Sequence, residues 1–151
     1  MQRFLRRAAV VVAAAAAAVG TSAVPAVANP RHPGLILEQA TGWCTYLNWQ
    51  GRFYCGSHAI WLKPDGWDQV FVVGPDKNVY TKWASDSGVS GWLNMGGICK
   101  PNPGIVVHFW LSDWGLTVNC KGSDNRWYHR ERYDDGHWDP QWLRGETYPS
   151  A

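Results

Sequence analysis

Two groups of side chains in this chain set aromatic rings beside polar neighbours: Tyr80, Lys82, Trp83 and Trp92, then Tyr128, Arg130, Trp138 and Trp142. The chemistry they suit is sugar recognition, because a pyranose offers a patch of C–H groups to an indole face while its hydroxyls need directed donors and acceptors. These eight residues are the candidate glycan contacts. Strand neighbours alternate faces, so Tyr80 and Lys82 are expected on one face and Val79, Thr81 and Trp83 on the other. Each candidate also has a plainer role. Trp and Tyr fill space between repeats, Asp76 and Asp124 suit turns that cap their own backbone, and Arg126, Arg130 and Arg132 suit a solvated strand face. Catalysis is not expected. The only dense polar cluster, His129 to His137, has no counterpart in the matching stretch Trp83 to Ser90, and no G-x-S-x-G, H-E-x-x-H or Cys–His nucleophile pattern is present. With no C-x-x-C spacing and His not clustered with the Cys, neither a metal nor another cofactor is expected.

The elements that must position these residues come from an internal repeat. At a shift of 48 residues, Gly74-Pro75-Asp76-Lys77-Asn78-Val79-Tyr80 falls on Gly122-Ser123-Asp124-Asn125-Arg126-Trp127-Tyr128, Val70 on Val118, Asp65 on Asp113 and Lys82 on Arg130. A period of this length carried by strand-forming residues marks a repeat architecture such as a propeller. Strands are expected near Ala59 to Lys63, Gln69 to Gly74, Asn78 to Trp83 and Gly91 to Met95, and again near Ile105 to Leu111, Leu116 to Lys121, Arg126 to Glu131 and Trp138 to Arg144. The Gly-x-Asp segments read as tight turns between antiparallel neighbours. Tyr46 to Gly51 echoes Trp92 to Gly97, as the outer strand of a further, partial unit would. The fold class is therefore all-β, with two to two and a half four-stranded antiparallel units, about 52–97 and 98–145, in a domain spanning 43–151.

The N-terminal residues read as an export signal. Arg3, Arg6 and Arg7 precede an apolar run from Ala8 to Val19, and Ala26-Val27-Ala28 offers the small-x-small pattern of a cleavage site after Ala28. The run is too short and Ala-rich to make a good membrane span. Residues 29–42 read as a flexible leader. The signal takes three Arg and no acid from the 14 Lys plus Arg and 12 Asp plus Glu of the chain, leaving 11 against 12. That balance argues against a nucleic-acid partner, which would call for a basic footprint. Export permits disulfides among Cys44, Cys55, Cys99 and Cys120. Four cysteines allow three connectivities. The repeat favours Cys44 with Cys55 and Cys99 with Cys120, because Cys120 falls on Val72 and Cys55 finds no partner there.

The stretch Val70 to Tyr80, followed by Trp83 and then Ser90-Gly91-Trp92-Leu93-Asn94-Met95-Gly96-Gly97, resembles one repeat of the bacterial seven-bladed propeller lectins related to the Photorhabdus fucose-binding lectin. The wider group of tectonin-like repeats is also similar. The resemblance covers about Trp43 to Gly145 and implies that each unit is a propeller-type blade, with sugar sites in grooves between neighbouring blades. The chain departs from the family in having far fewer units, in carrying cysteines inside the repeat, and in the altered closing phrase around Asp139-Pro140. A secreted lectin-like module binding a glycan or cell-surface polysaccharide is the reading that follows, with several copies able to close a ring. The alternative is a secreted protein-interaction or inhibitor domain that binds no sugar.

Overall fold

The computed structural model describes residues 31–34, 36–39, 41–109 and 113–147. The expected signal, 1–28, lies outside them. The described chain forms three antiparallel sheets and no helix. The first sheet has the order β1 (Ile36–Gln39), β2 (Trp43–Tyr46), β3 (Phe53–Tyr54). In the middle sheet β4 (Ala59–Leu62), β5 (Asp68–Val73) and β6 (Asn78–Ser85) are followed by the short β7 (Gly88–Val89) and by β8 (Leu93–Ile98), both paired with β6. The third sheet runs β9 (Ile105–Phe109), β10 (Leu116–Lys121), β11 (Trp127–Arg132), β12 (Leu143–Arg144) from edge to edge.

The hairpins β5–β6 and β10–β11 are built alike because their turns carry the same chemistry. Gly74 N donates to Asn78 O at 2.9 Å and Lys77 N to Gly74 O at 2.9 Å; Gly122 N donates to Arg126 O at 2.8 Å and Asn125 N to Gly122 O at 3.0 Å. Each turn ends on a left-handed residue, Lys77 (φ 66°) or Asn125 (φ 65°), the geometry that restores strand twist after a three-residue loop. Asp76 Oδ1 accepts the Asn78 amide and Asp124 Oδ1 the Arg126 amide, each at 3.1 Å. Both carboxylates thus complete their own turns.

Four expectations shift, each for a local reason. Gly91 to Met95 does not form one strand: the chain first folds back in the β7 hairpin, where Ser90 N donates to Trp83 O. The outer strand then begins at Leu93 and carries register shifts against Asn78 to Tyr80. Trp138 to Arg144 is reduced to a single bridge, Arg132 with Trp138, and the two residues of β12; Pro140 in between has no amide to donate. Within the stretch read as a leader, Ile36–Gln39 pair with β2 across a tight turn in which Gly42 has φ 77°. Tyr46 to Gly51 is not an outer strand. It leaves β2 at Tyr46 and turns to bury Trp49 at 2% exposure. The end of the expected strand Ile105 to Leu111 lies outside the described residues.

The sheets stack face to face through two cores. Cys44, Tyr46 and Phe53 of the first sheet, with Trp49, meet Val70, Val72 and Ala84 of the middle one. On its opposite face the middle sheet presents Phe71, Val73 and Val79 to Leu116, Val118 and Cys120 of the third. All six residues of β5 are buried, which explains its unbroken apolar run Val70-Phe71-Val72-Val73. The outward face of β10 is different. Thr117 and Asn119, both 0% exposed, bond to the backbone of Thr147, which crosses over them. The disulfides are the local pairs: Cys44–Cys55 tying β2 to the turn after β3, and Cys99–Cys120 tying the segment after β8 to β10, with Cα–Cα distances of 4.9 and 5.9 Å.

Candidate functional site: two matching grooves

At the turn end of each interface between sheets the same four residue types meet. Tyr80 lies over its turn and donates its hydroxyl to Asp76 Oδ2 at 2.9 Å, and Tyr128 does the same to Asp124 Oδ2 at 3.0 Å. The turn glycines make this possible. A Cβ on Gly74 would lie 2.6 Å from the Tyr80 ring, and one on Gly122 2.8 Å from that of Tyr128. The opposite wall is the closing Trp of the unit, which reaches back onto the preceding one. Trp92 donates its indole N–H to Gln50 O beside Gly51, and Trp142 donates to Met95 O at 3.0 Å beside Gly97. Gly51 (φ 113°) and Gly97 (φ 76°) take backbone shapes that favour glycine, and any side chain there would strike the indole.

Between these walls run two grooves. The first, of about 150 Å³, lies between the first and middle sheets and includes Arg52, Val72 and Pro75 beside the shared residues. The second, of about 370 Å³, lies between the middle and third sheets, with Ile98, Cys120 and Ser123 at the corresponding places and Cys99 and Asp124 added. Hydrogen bonding sets the protonation of both rims. Asp76 is held below the usual carboxylate range first by the Asn78 side chain, and Asp124 first by the Arg126 amide. Tyr80 and Tyr128 are pushed above the usual phenol value, chiefly by donating to those carboxylates. Both grooves therefore offer aromatic faces on a fixed frame, and the second adds the ionised Asp124 to its lining, whereas Asp76 holds Tyr80 from outside the first. That combination suits a ligand with one apolar face and several hydroxyls.

Of the eight candidate contacts, Tyr80 and Trp92 line the first groove, and Tyr128 and Trp142 the second. Lys82 and Arg130 do not line either. Lys82 is 9% exposed, with Nζ 5.5 Å from the Trp92 ring centroid and 5.8 Å from that of Trp49; burial lowers its pKa. Arg130 bonds Met95 O at 2.8 Å, the same carbonyl that Trp142 uses, and Asp139 O at 2.7 Å. The repeated base thus braces the closing Trp from behind. Trp83 and Trp138 line a separate pocket at the far end of the second interface. Gly51 and Gly97 were not among the candidates. Their signal was the echo of Tyr46 to Gly51 in Trp92 to Gly97, which marks a shared landing site for the next unit's Trp.

In the polar segment 129–137 several side chains meet neighbouring groups. His129 Nδ1 meets Gly145 O at 2.8 Å, Asp134 Oδ1 accepts the Gly115 amide at 2.6 Å, and Asp135 pairs with His137, whose ring stacks on Tyr133. Among the described residues no three His, Cys, Asp or Glu side chains converge as a metal site, and no helix is long and apolar enough to cross a membrane. Fold and grooves together define the class: a disulfide-stapled all-β protein of three stacked antiparallel sheets with repeat-related surface grooves. Compared with known proteins, the chain matches no family model and no curated protein.

Proposed function

We propose that this is an exported, non-enzymatic carbohydrate-binding module, built of propeller-type blades, that holds glycan units in the two grooves between neighbouring sheets. The observation that carries this reading is the recurrence of one lining. Glycine, turn glycine, Tyr held by Asp, and closing Trp appear as Gly51, Gly74, Tyr80, Trp92 and again as Gly97, Gly122, Tyr128, Trp142. Tyr80, Trp92 and Trp142 pack partly on the cores beneath while each stays part-exposed, so these walls are both rigid and reachable. Two weak sites on one rigid frame also suit a polymeric ligand, whose repeated units engage both. The two disulfides support export. Closure of a ring by several copies is less well supported, because a further blade on the third sheet would have to displace Gly145 to Thr147 from the polar face of Thr117 and Asn119.

A glycan array probed with the purified chain, followed by titration of the best binder, tests the proposal. Trp92→Ala and Trp142→Ala are each expected to weaken binding at one of the two grooves, and the double variant at both. Loss of a stacking indole is worth about 0.5–1.5 kcal/mol beyond its buried area, a several-fold weakening at that groove. An array blank across neutral and charged glycans would overturn the reading. A protein-interaction domain is then the better description. It is favoured by the adjacent open edges of β4 and β9, where Ile60, Leu62 and Phe109 are exposed.

A further inference from the structure

The far end of the interface between the middle and third sheets holds a pocket of about 290 Å³ that shares no residue with the grooves. Its walls are the indoles of Trp83, Trp114 and Trp138, and its cations are Lys63 and Arg132. The two cations are not equivalent. Lys63 Nζ is 2.9 Å from Asp65 Oδ2, so its charge is matched. Arg132 has no carboxylate within 4.0 Å among the described residues; its one hydrogen bond there is a long one, 3.4 Å, from Nη1 to Trp114 O. Its guanidinium carbon lies 5.4 Å from the ring centroid of Trp114 and 5.8 Å from that of Trp61. The cation–π contacts hold the group in place, and the carboxylate whose charge reaches it, Asp65, is the one already paired with Lys63, so two cations share a single anion.

A partly desolvated guanidinium with donors to spare is costly unless an anion meets it. The rest of the pocket says what else that anion carries. Gln69 Nε2 donates to Thr81 Oγ1 at 3.0 Å, which leaves the Gln69 amide oxygen to accept from a ligand hydroxyl. Trp83 and Trp138 supply flat apolar walls. The volume sits near the lower end of ligand pockets, about 300 Å³, the scale of one sugar ring. We propose that this pocket is a separate site for a carboxylate-bearing saccharide, a uronic-acid unit whose carboxylate meets Arg132 while its C–H face lies on an indole wall. It stands independently of the grooves and holds whether or not they bind neutral sugar.

Titration of the full chain with glucuronate and with glucose, read by tryptophan fluorescence, tests the site. Glucuronate is expected to bind at least about tenfold more tightly than glucose, with an affinity that falls as salt is raised. Arg132→Gln is expected to erase that preference, and Trp83→Ala to weaken glucuronate binding without abolishing the preference. The Trp92→Ala/Trp142→Ala protein, which lacks the groove indoles, should bind glucuronate as the parent does. Equal affinities for the two sugars, or acetate competing as well as glucuronate, would overturn the proposal, and so would loss of glucuronate binding in the groove double variant. The comparison of sugars on the unaltered chain decides the matter even where Arg132→Gln fails to fold.

Discussion

The two interfaces between sheets carry the same groove frame on different supports. Under the first groove the contact is apolar: Phe53 and Val72, at 0% and 2% exposure, belong to one core. Under the second, the residues at those repeat positions are Cys99 and Cys120, joined covalently. The groove above widens from about 150 to about 370 Å³, and Arg52 on its rim gives way to the exposed Ile98. What stays constant is the set of residues that shapes the aromatic walls. The wall frame is one requirement, and the support and rim are free to vary and to tune which ligand each groove prefers.

The largest test of that comparison removes the staple. Cys99→Ser/Cys120→Ser opens a loop of sequence separation 21 and is expected to lower stability by about 3 kcal/mol, read as the midpoint of urea unfolding. Installing the first interface's solution, Cys99→Phe/Cys120→Val, should recover part of that loss. An unchanged midpoint in the Ser variant would mean that apolar contacts alone carry the second interface too.

A smaller effect is expected at the turn glycines. Gly74→Ala and Gly122→Ala each drive a Cβ into a Tyr ring, an overpacking that costs about 1–3 kcal/mol. The two losses should be similar, since the two turns are alike. Gly122→Ala/Tyr128→Ala should unfold at a higher temperature than Gly122→Ala if the ring is the obstacle; a double variant no better than the single would break the equivalence of the two walls.

The smallest effect is electrostatic. Asp76 and Asp124 have pKa values depressed below 3.8 in the fold, so their contribution to stability is present above that value and is lost as pH falls through the lower, folded pKa. Tyr80 and Tyr128 have pKa values raised above 10.0, so theirs is present below that value and is lost as pH rises through the folded one. Melting temperature against pH should therefore fall at both ends. Tyr80→Phe and Tyr128→Phe should each remove part of the alkaline fall, by equal amounts because both pairs are solvent-exposed and screened. Unequal effects would show that one groove rim is more tightly coupled than the other.

Much of this fold is legible in the chain because its signals are local. The alternation around Val79 to Trp83 places Tyr80 with Lys82 on one face, and the pairs Val72 with Tyr80 and Val70 with Lys82 put both beside the first core. The Gly-x-Asp segments announce their turns because the carboxylate bonds a backbone two residues away. The grooves are less legible. Trp92 meets a backbone 42 residues earlier and Trp142 one 47 residues earlier, and no local pattern states where a closing Trp will land. For the same reason Lys82 and Arg130 look like surface contacts in sequence but lie behind the walls. Trp114 and Arg132 carry no signal as a pair until β11 is set against the loop before β10.

The sequence by itself determined the all-β class, the paired strands of the two repeated hairpins, their turns and the favoured cysteine pairs, because each depends on neighbours along the chain or on one period. Only the tertiary structure decided which indoles face a groove, which bases brace them, and where two cations are left to share one carboxylate. Those outcomes depend on how sheets stack, and stacking is settled by the summed burial of faces contributed by distant segments.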